Sequence, residues 1–548
     1  MRRFQERDEV DFVVVGSGAA GGVIAKELAT AGFSVVVLEQ GPWRRNEDFG
    51  HDELGTWILG ELGPPPERFP QTFRRDEGEE AQVQNTPPPL IYAQGVGGSS
   101  VHFTANFWRL RPVDFQERSL LGPISGTGFA DWPITYEELE PYYTKVDWEI
   151  GVSGVPGPFD PPRSRPYPVP PLPVKSSGVL LERGAERLGW HAQPAPMAIL
   201  SEPYDGRAGC IHCGFCMAYG CEAGAKSSTL VTSIPRAVAS GNCEVRPEST
   251  VLRVETNREG RCTGVVYVDT AGTEHRQGAR AVVLSANGAE TPRLLLLSES
   301  SLFPQGLANS SGKVGKYLMC NGQSAAVGIF PDRLNEHKSV QVTRIIHDFY
   351  ETDPRRGFYG GGGMDGRFTF GPLLFALWGT FPGDPSWGPE YKRFLHQTYT
   401  RTMEVAGHTT SLAMESNSIS LDPEVRDHWG RPALRMTYRD YPDDLAAMRF
   451  FTDRGVELLE AAGAHRVAGL PVEGTSLTAH LLGTCRMGDD PENSVVDRYH
   501  RAHDVPNLFI CDGSSMVTSG RGQPTMTIQA LAFRAADHMV EAARRGEI

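Results

Sequence analysis

Residues 11–40, DFVVVGSGAAGGVIAKELATAGFSVVVLEQ, constrain the fold more than any other part of the chain. An apolar run from Phe12 to Val15 predicts a strand. Gly16, Gly18 and Gly21 follow at GxGxxG spacing, then a helical stretch, then a second strand from Ser34 to Leu38 ending at Glu39. Gly16 permits the tight turn, Gly18 lets backbone approach a pyrophosphate, and Gly21 lets helix and strand pack closely, while the helix N-terminus attracts phosphate charge. Glu39 lies about 20 residues past the glycines, where a carboxylate accepts hydrogen bonds from a ribose diol. Such a unit implies a parallel α/β sheet and a dinucleotide cofactor, without choosing between NAD and FAD.

At 548 residues the chain exceeds one compact core, so two or more domains are expected. Its formal net charge of -14 disfavours nucleic acid and anionic membrane surfaces as partners. No run approaches the ~18 apolar residues that a bilayer span needs. The opening MRRFQERDEVDFVVVG passes from a charged tail straight into a strand, without an apolar signal core. A cytoplasmic location is expected on that basis, and a periplasmic one only if a signal-bearing partner exports the chain.

Three later segments bear on the cofactor. Residues 95–104 read GVGGSSVHFT, a second glycine loop; residues 286–298 read ANGAETPRLLLLS; residues 507–532 read NLFICDGSSMVTSGRGQPTMTIQALA. With the opening unit, and in this order, they resemble the glucose–methanol–choline (GMC) oxidoreductases, a family that binds FAD. The likeness runs from Asp11 to about His538. Asp131-Trp132-Pro133-Ile134, the following YEELEPYY and the GTCRMG stretch at 483–488 are most similar to the branch of gluconate, fructose and glucose dehydrogenases and pyranose oxidase-like enzymes. The resemblance implies an α/β fold: a Rossmann-like FAD-binding domain of the GMC/p-hydroxybenzoate hydroxylase type, with a second α+β substrate domain built on an antiparallel sheet.

It also implies a set of site residues. Gly16, Gly18, Gly21, Glu39, Gly97, Gly98, Ser99, His102, Asn106, Val251, Asp512, Gly513, Pro524 and Thr525 are candidate FAD contacts. His102 occupies the position at which pyranose oxidases attach the flavin covalently, so a covalent bond, a non-covalent contact and plain packing are all open. His480, in TSLTAHLLGTCRMG, matches the family's catalytic histidine. An imidazole poised near neutral pH takes the proton from an alcohol oxygen while flavin N5 takes the hydride. The family's second His or Asn is Gln523 here, an amide that orients the substrate oxygen but cannot act as a base. Pro524 opens the last helix, expected to about Arg544, whose N-terminus would stabilise negative charge on reduced flavin.

Four cysteines, Cys210, Cys213, Cys216 and Cys221, are spaced C-x2-C-x2-C-x4-C. Thiolates this close suit an iron–sulfur cluster, 3Fe–4S or 4Fe–4S. A four-thiolate zinc site or unmetallated thiols remain alternatives; nine cysteines, an odd total, argue against a disulfide framework. Some dehydrogenases of the resembled branch hold a 3Fe–4S cluster at about this point, with a different cysteine spacing.

The expected organisation is a first part of the FAD domain (1–150), a Pro-rich and Cys-rich excursion (151–224), a second FAD part (225–325), a substrate domain (326–475) and a C-terminal FAD part with the catalytic histidine (476–548). Strand-like pieces at Glu244-Val245, Thr250–Glu255, Gly264–Val268 and Ala281–Leu284 and a short strand at Leu508–Ile510 belong to the FAD domain. Pro-rich stretches at 63–70 and 155–173 are expected to lack regular structure. Aromatics crowd the substrate segment, with Gly360–Gly363 as a flexible stretch; most are expected in the core of a sheet, and aromatic faces beside the substrate suit a sugar ring and a fatty or terpenoid alcohol equally well. The leading functional expectation is an FAD-dependent dehydrogenase that oxidises a hydroxyl of a sugar or glycoside and relays electrons through the cluster to a small subunit or cytochrome. The alternatives are an FAD oxidase of sugars, aliphatic or terpenoid alcohols using O2, and a non-redox GMC lyase.

Overall fold

The computed structural model describes residues 3–5, 8–84, 87–368, 370–379, 381 and 383–548. Of the charged N-terminal tail, residues 1, 2, 6 and 7 lie outside that set.

The run VDFVVV (Val10–Val15) is rich in β-branched residues and almost wholly buried, as a central parallel strand must be. It pairs in parallel with Val35–Leu38 on one side and with the C-terminal half of Glu274–Leu284 on the other. Cys243–Arg246 extends the sheet beyond Val35–Leu38, and Leu508–Ile510 lies parallel to Val282–Leu284. Thr250–Thr256 and Cys262–Val268 add antiparallel strands on the N-terminal half of Glu274–Leu284, which starts earlier than the sequence suggested. The helices Gly21–Thr30 and Thr525–Arg544 pack against each other, and Thr525–Arg544 also packs on Tyr136–Ile150. This is the expected FAD-type α/β domain.

A second sheet is antiparallel, in the order Arg466–Gly469, Gly322–Ile329, Thr402–Thr409, Gly362–Arg367, Arg344–Ile346, Ala192–Pro194. Period-two alternation sorts its residues. Met364, Met403 and Val405 join a core with Leu181, Phe451 and Leu459 from the helices Ser176–Leu188 and Pro442–Ala462. Asp365, Arg367 and His408 point to the opposite face, where Asn106 and Trp108 of the FAD domain meet them.

The sheets do not follow sequence blocks. The helix Ser176–Leu188 and strand Ala192–Pro194, inside the 151–224 excursion, are built into the second sheet, and the expected boundary at 325/326 falls within Gly322–Ile329. A third sheet joins Gln71–Arg74 and Gln82–Val83 to Ser418–Arg426 and Pro432–Thr437. Among the described residues, 63–70 and 155–173 carry no helix or strand.

One expectation is corrected. Gly360–Gly363 is not a flexible stretch: all four residues are buried, and Gly362 opens the strand Gly362–Arg367. A Cβ on Gly361 would stand 2.1 Å from the Tyr350 carbonyl oxygen, and one on Gly362 2.0 Å from that of His408. The glycines are there for close approach.

Candidate active site and cysteine pocket

One cavity, about 340 Å3, runs between the parallel sheet and the second sheet. It starts at the glycine turn. Gly16 has φ of +91°, and a Cβ there would meet the Ser285 carbonyl oxygen at 2.4 Å; one on Gly21 would meet Gly16 O at 2.1 Å. The second glycine loop lies back to back with the first: Gly98, at φ +53°, would put a Cβ 2.7 Å from Gly18 Cα. Ser17 binds the loops together, its Oγ donating to Glu39 Oε2 at 2.7 Å and accepting from the Gly97 N–H at 3.1 Å. Glu39 also accepts from the Gly41 N–H at 3.1 Å, and burial pushes its carboxyl up despite these bonds.

Of the sequence-derived candidates, Gly16, Gly18, Glu39, Gly98, Ser99, His102, Asn106, Val251, His480, Asp512, Gly513, Gln523, Pro524 and Thr525 all line this cavity. Gly21 and Gly97 do not; they act behind the wall, in helix packing and in the bond to Ser17. Asp512 is largely spent within the protein. It accepts from the Asn287 N–H (3.1 Å), Thr291 Oγ1 (2.6 Å) and the Ser514 N–H (2.7 Å), so it ties down the start of the helix Asn287–Leu297.

The residues fit an extended dinucleotide cofactor. Buried His102 Nε2 and Asn106 Oδ1 have no hydrogen-bond partner within the protein, yet both residues face the cavity. Burial, then the charge of Lys226, holds His102 down to about 4, so its imidazole is neutral. The last helix aims its N-terminus, Pro524 and Thr525, at the same space. Arg293 and Arg431, missed by sequence reasoning, add cationic groups to the wall, beside Trp57, Tyr92 and Phe103. None of the aromatics of the 326–475 segment lines this cavity; Tyr350, Tyr359, Phe368, Phe375 and Phe381 are buried as core instead.

His480 and Gln523 stand in one wall of the cavity, from different segments. His480 Nδ1 is 3.1 Å from Asn321 Oδ1, and the His480 N–H donates to Thr478 Oγ1 at 3.0 Å. Burial, then the neighbouring His408 and Arg367, holds the His480 imidazole down to about 3. Behind Asn106, His408 Nε2 lies 2.8 Å from Arg367 Nη2 and 3.0 Å from Asp365 Oδ2, and Asn106 Nδ2 donates to Asp365 at 3.1 Å. Burial pushes the Asp365 carboxyl up, but Arg367 and His408 outweigh it and hold it down to about 2. Nothing in the sequence singled out Asn321, Asp365 or His408, since each is one polar residue in or beside a strand that the motifs do not reach.

The four cysteines line a second, smaller cavity with Phe215 and Lys226. Lys226 is buried, and its ammonium donates to the carbonyls of Cys216 (2.5 Å), Tyr219 (2.7 Å) and Phe103 (3.0 Å). Burial pushes Cys216 up to about 12 and Cys210 up to about 11, so both are thiols in the metal-free chain. Among the described residues, no group of three or more His, Cys, Asp or Glu is arranged to hold a metal ion. The four thiols of the expected iron–sulfur site line one pocket. The two cavities share a wall. Met217 and Ala218, directly after Cys216, line the larger one, and the Ala218 N–H donates to His102 O at 2.7 Å.

Residues 10–319 and 413–532 match the N- and C-terminal profiles described as GMC oxidoreductase. The chain is 36% identical over 541 residues to a 2-methyl-1,2-propanediol dehydrogenase of Mycolicibacterium austroafricanum, covering 97% of this chain and 95% of that protein. It is 30% identical to a gluconate 2-dehydrogenase flavoprotein of Pantoea cypripedii, over 96% and 93% of the two chains. Its fold is similar to that of an Aspergillus oryzae RIB40 formate oxidase variant, with a TM-score of 0.69 at 17% identity and complete coverage of both chains.

Proposed function

The chain belongs to the GMC oxidoreductase family, and on that premise we propose that it is a dehydrogenase that oxidises a hydroxyl of a sugar, glycoside or similar polyol to a carbonyl, with His480 as the base. FAD dependence and action on CH–OH groups come with the family. The observation that carries the finer reading is the single cavity that joins the Gly16–Gly18 cradle and Glu39 to His480 and Gln523.

The flavin, when bound, supplies the hydride acceptor. His480, held through Nδ1, offers Nε2 to the proton of the substrate hydroxyl. Gln523 orients the hydroxyl oxygen through its amide. The free N–H groups at the start of Thr525–Arg544 favour negative charge at the adjoining end of the cavity. A polyhydroxylated substrate is supported by the names of the relatives, a diol dehydrogenase and a gluconate dehydrogenase.

Electron exit through an iron–sulfur cluster at Cys210, Cys213, Cys216 and Cys221 is supported by the pocket these thiols line and by its shared wall with the flavin cavity. A cluster there would supply one-electron transfer towards a small subunit or cytochrome. The second reading is an oxidase using O2 with structural cysteines, supported by a relative at 30% identity, the paromamine 6'-oxidase of Streptomyces fradiae.

Anaerobic flavin bleaching across a panel of sugars, glycosides, short diols and aliphatic alcohols tests the substrate class, together with iron and sulfide analysis. Polyol-dependent bleaching with bound iron is expected. Bleaching by unsubstituted aliphatic alcohols alone would overturn the substrate class. Absence of iron with stoichiometric peroxide release in air would overturn the relay and leave the oxidase.

A further inference from the structure

Asn321 does not line the cavity, yet every hydrogen bond it makes bears on the catalytic wall. It is 3% exposed and sits at φ 51°, just before the strand Gly322–Ile329. Its Nδ2 donates to the carbonyls of Thr409 (3.0 Å), Ser519 (3.2 Å) and Gly520 (3.3 Å). A flipped amide would set its oxygen against three carbonyl oxygens, so the orientation is fixed and Oδ1 is the atom facing His480. An acceptor opposite Nδ1 puts the imidazole proton on Nδ1 and leaves the lone pair on Nε2.

The three carbonyls come from elements that also carry the rest of the wall. Thr409 ends the strand bearing His408, and Ser519 and Gly520 come just before Gln523. Ser411 ties them in: its N–H donates to Ser519 Oγ at 2.8 Å, and its Oγ accepts from the Cys320 and Asn321 N–H groups at 3.1 and 3.2 Å. Gly520 holds a left-handed backbone at φ +61°, and a Cβ there would press on Leu110 Cδ2 at 2.4 Å. Arg521 then anchors the loop through Asp114, Glu117 and Thr352. His480 and Gln523 thus hang from one amide and one loop.

We propose that Asn321 is the positioning residue of this site, fixing His480 as the Nδ1–H tautomer and tying that choice to the loop that presents Gln523. The inference rests on the reading of His480 as the base. Because the acceptor is a neutral amide, it sets the tautomer without raising the imidazole's basicity as a carboxylate would.

Anaerobic stopped-flow reduction of the FAD-loaded enzyme tests it. Asn321→Ala should lower the limiting reduction rate ~10–100-fold while substrate Kd stays within about threefold, because a misaligned base affects the transition state and not the ground state. In a His480→Ala background the same substitution should change the rate less than about twofold, since the two act as a unit. Equal losses in both backgrounds overturn the proposal. A His480→Ala enzyme that reduces its flavin at near wild-type rate instead overturns the base assignment, and the Asn321 role with it. Should Asn321→Ala fail to retain FAD, Asn321→Asp decides. Its carboxyl keeps an acceptor for Nδ1; on ionising it loses its bond to the carbonyls and raises the imidazole's basicity, so the reduction rate should change with pH through that carboxyl's pKa. A pH profile identical to that of the native enzyme overturns the proposal.

Discussion

The Arg521 guanidinium and the Asp114 carboxylate form an ion pair with only 1% of each side chain exposed, 407 residues apart in sequence. Glu117 takes the other side of the guanidinium, Tyr350 OH donates to Asp114 at 2.6 Å and Tyr359 OH to Glu117 at 2.8 Å. The pair stitches the loop before Gln523 to the segment before Glu117–Leu121 and to the second sheet's connections.

Removing the cation leaves two buried carboxylates unpaired, which costs about 3–5 kcal/mol. Arg521→Met should therefore lower the thermal midpoint by several degrees and weaken FAD retention. An unchanged midpoint in differential scanning fluorimetry would show that the cage is not structural.

His480→Ala should lower anaerobic flavin reduction by ~100-fold or more with FAD still bound, the usual worth of a positioned base. Gln523→Ala should cost less and act partly through substrate Kd. A larger effect at Gln523 than at His480 would reverse their roles.

The pH dependence has a definite sign. With its pKa held down to about 3 by burial and by His408 and Arg367, His480 is the neutral, competent base at any pH well above that value. The reduction rate should be flat between about pH 5 and 8 and decline only on approach to pH 3 to 4. An acid limb centred between pH 6 and 7 would place the working histidine in a wetter setting than this cavity.

Gly16→Ala should yield chain without FAD, because the added methyl has only 2.4 Å to the Ser285 carbonyl oxygen and demands a left-handed backbone. In native protein, acid precipitation should release the flavin, since His102 is expected to touch it without a bond. A yellow pellet would mark covalent attachment.

The FAD domain was legible because its signals are local. Val10–Val15, the glycines and Glu39 lie within one short stretch, and β-branched burial has few alternatives. Strand pairing across distance was not legible. Nothing in Gln71–Arg74 announces that it joins Pro432–Thr437, and nothing in Ala192–Pro194 announces Arg344–Ile346. At the site, residues inside glycine-rich or proline-bounded motifs were found. Asn321 and Arg431 were not, because their roles arise only when separate segments meet; Arg293 went unnamed although it lies in the quoted 286–298 segment. The cysteine spacing pointed to an iron–sulfur site, and the loop that carries it, with His212 and Ala218 at positive φ, brings the four thiols to one pocket.

The alternation in the second sheet has a practical consequence for redesign. Asp365, Arg367 and His408 share strands with Met364, Met403 and Val405, yet only the latter reach the helix core. Replacing any one of the three leaves a buried charge or imidazole without its partner, while the hydrophobic layer beneath stays intact. A single-residue deletion in either strand would disturb both faces at once, turning charge into the hydrophobic layer.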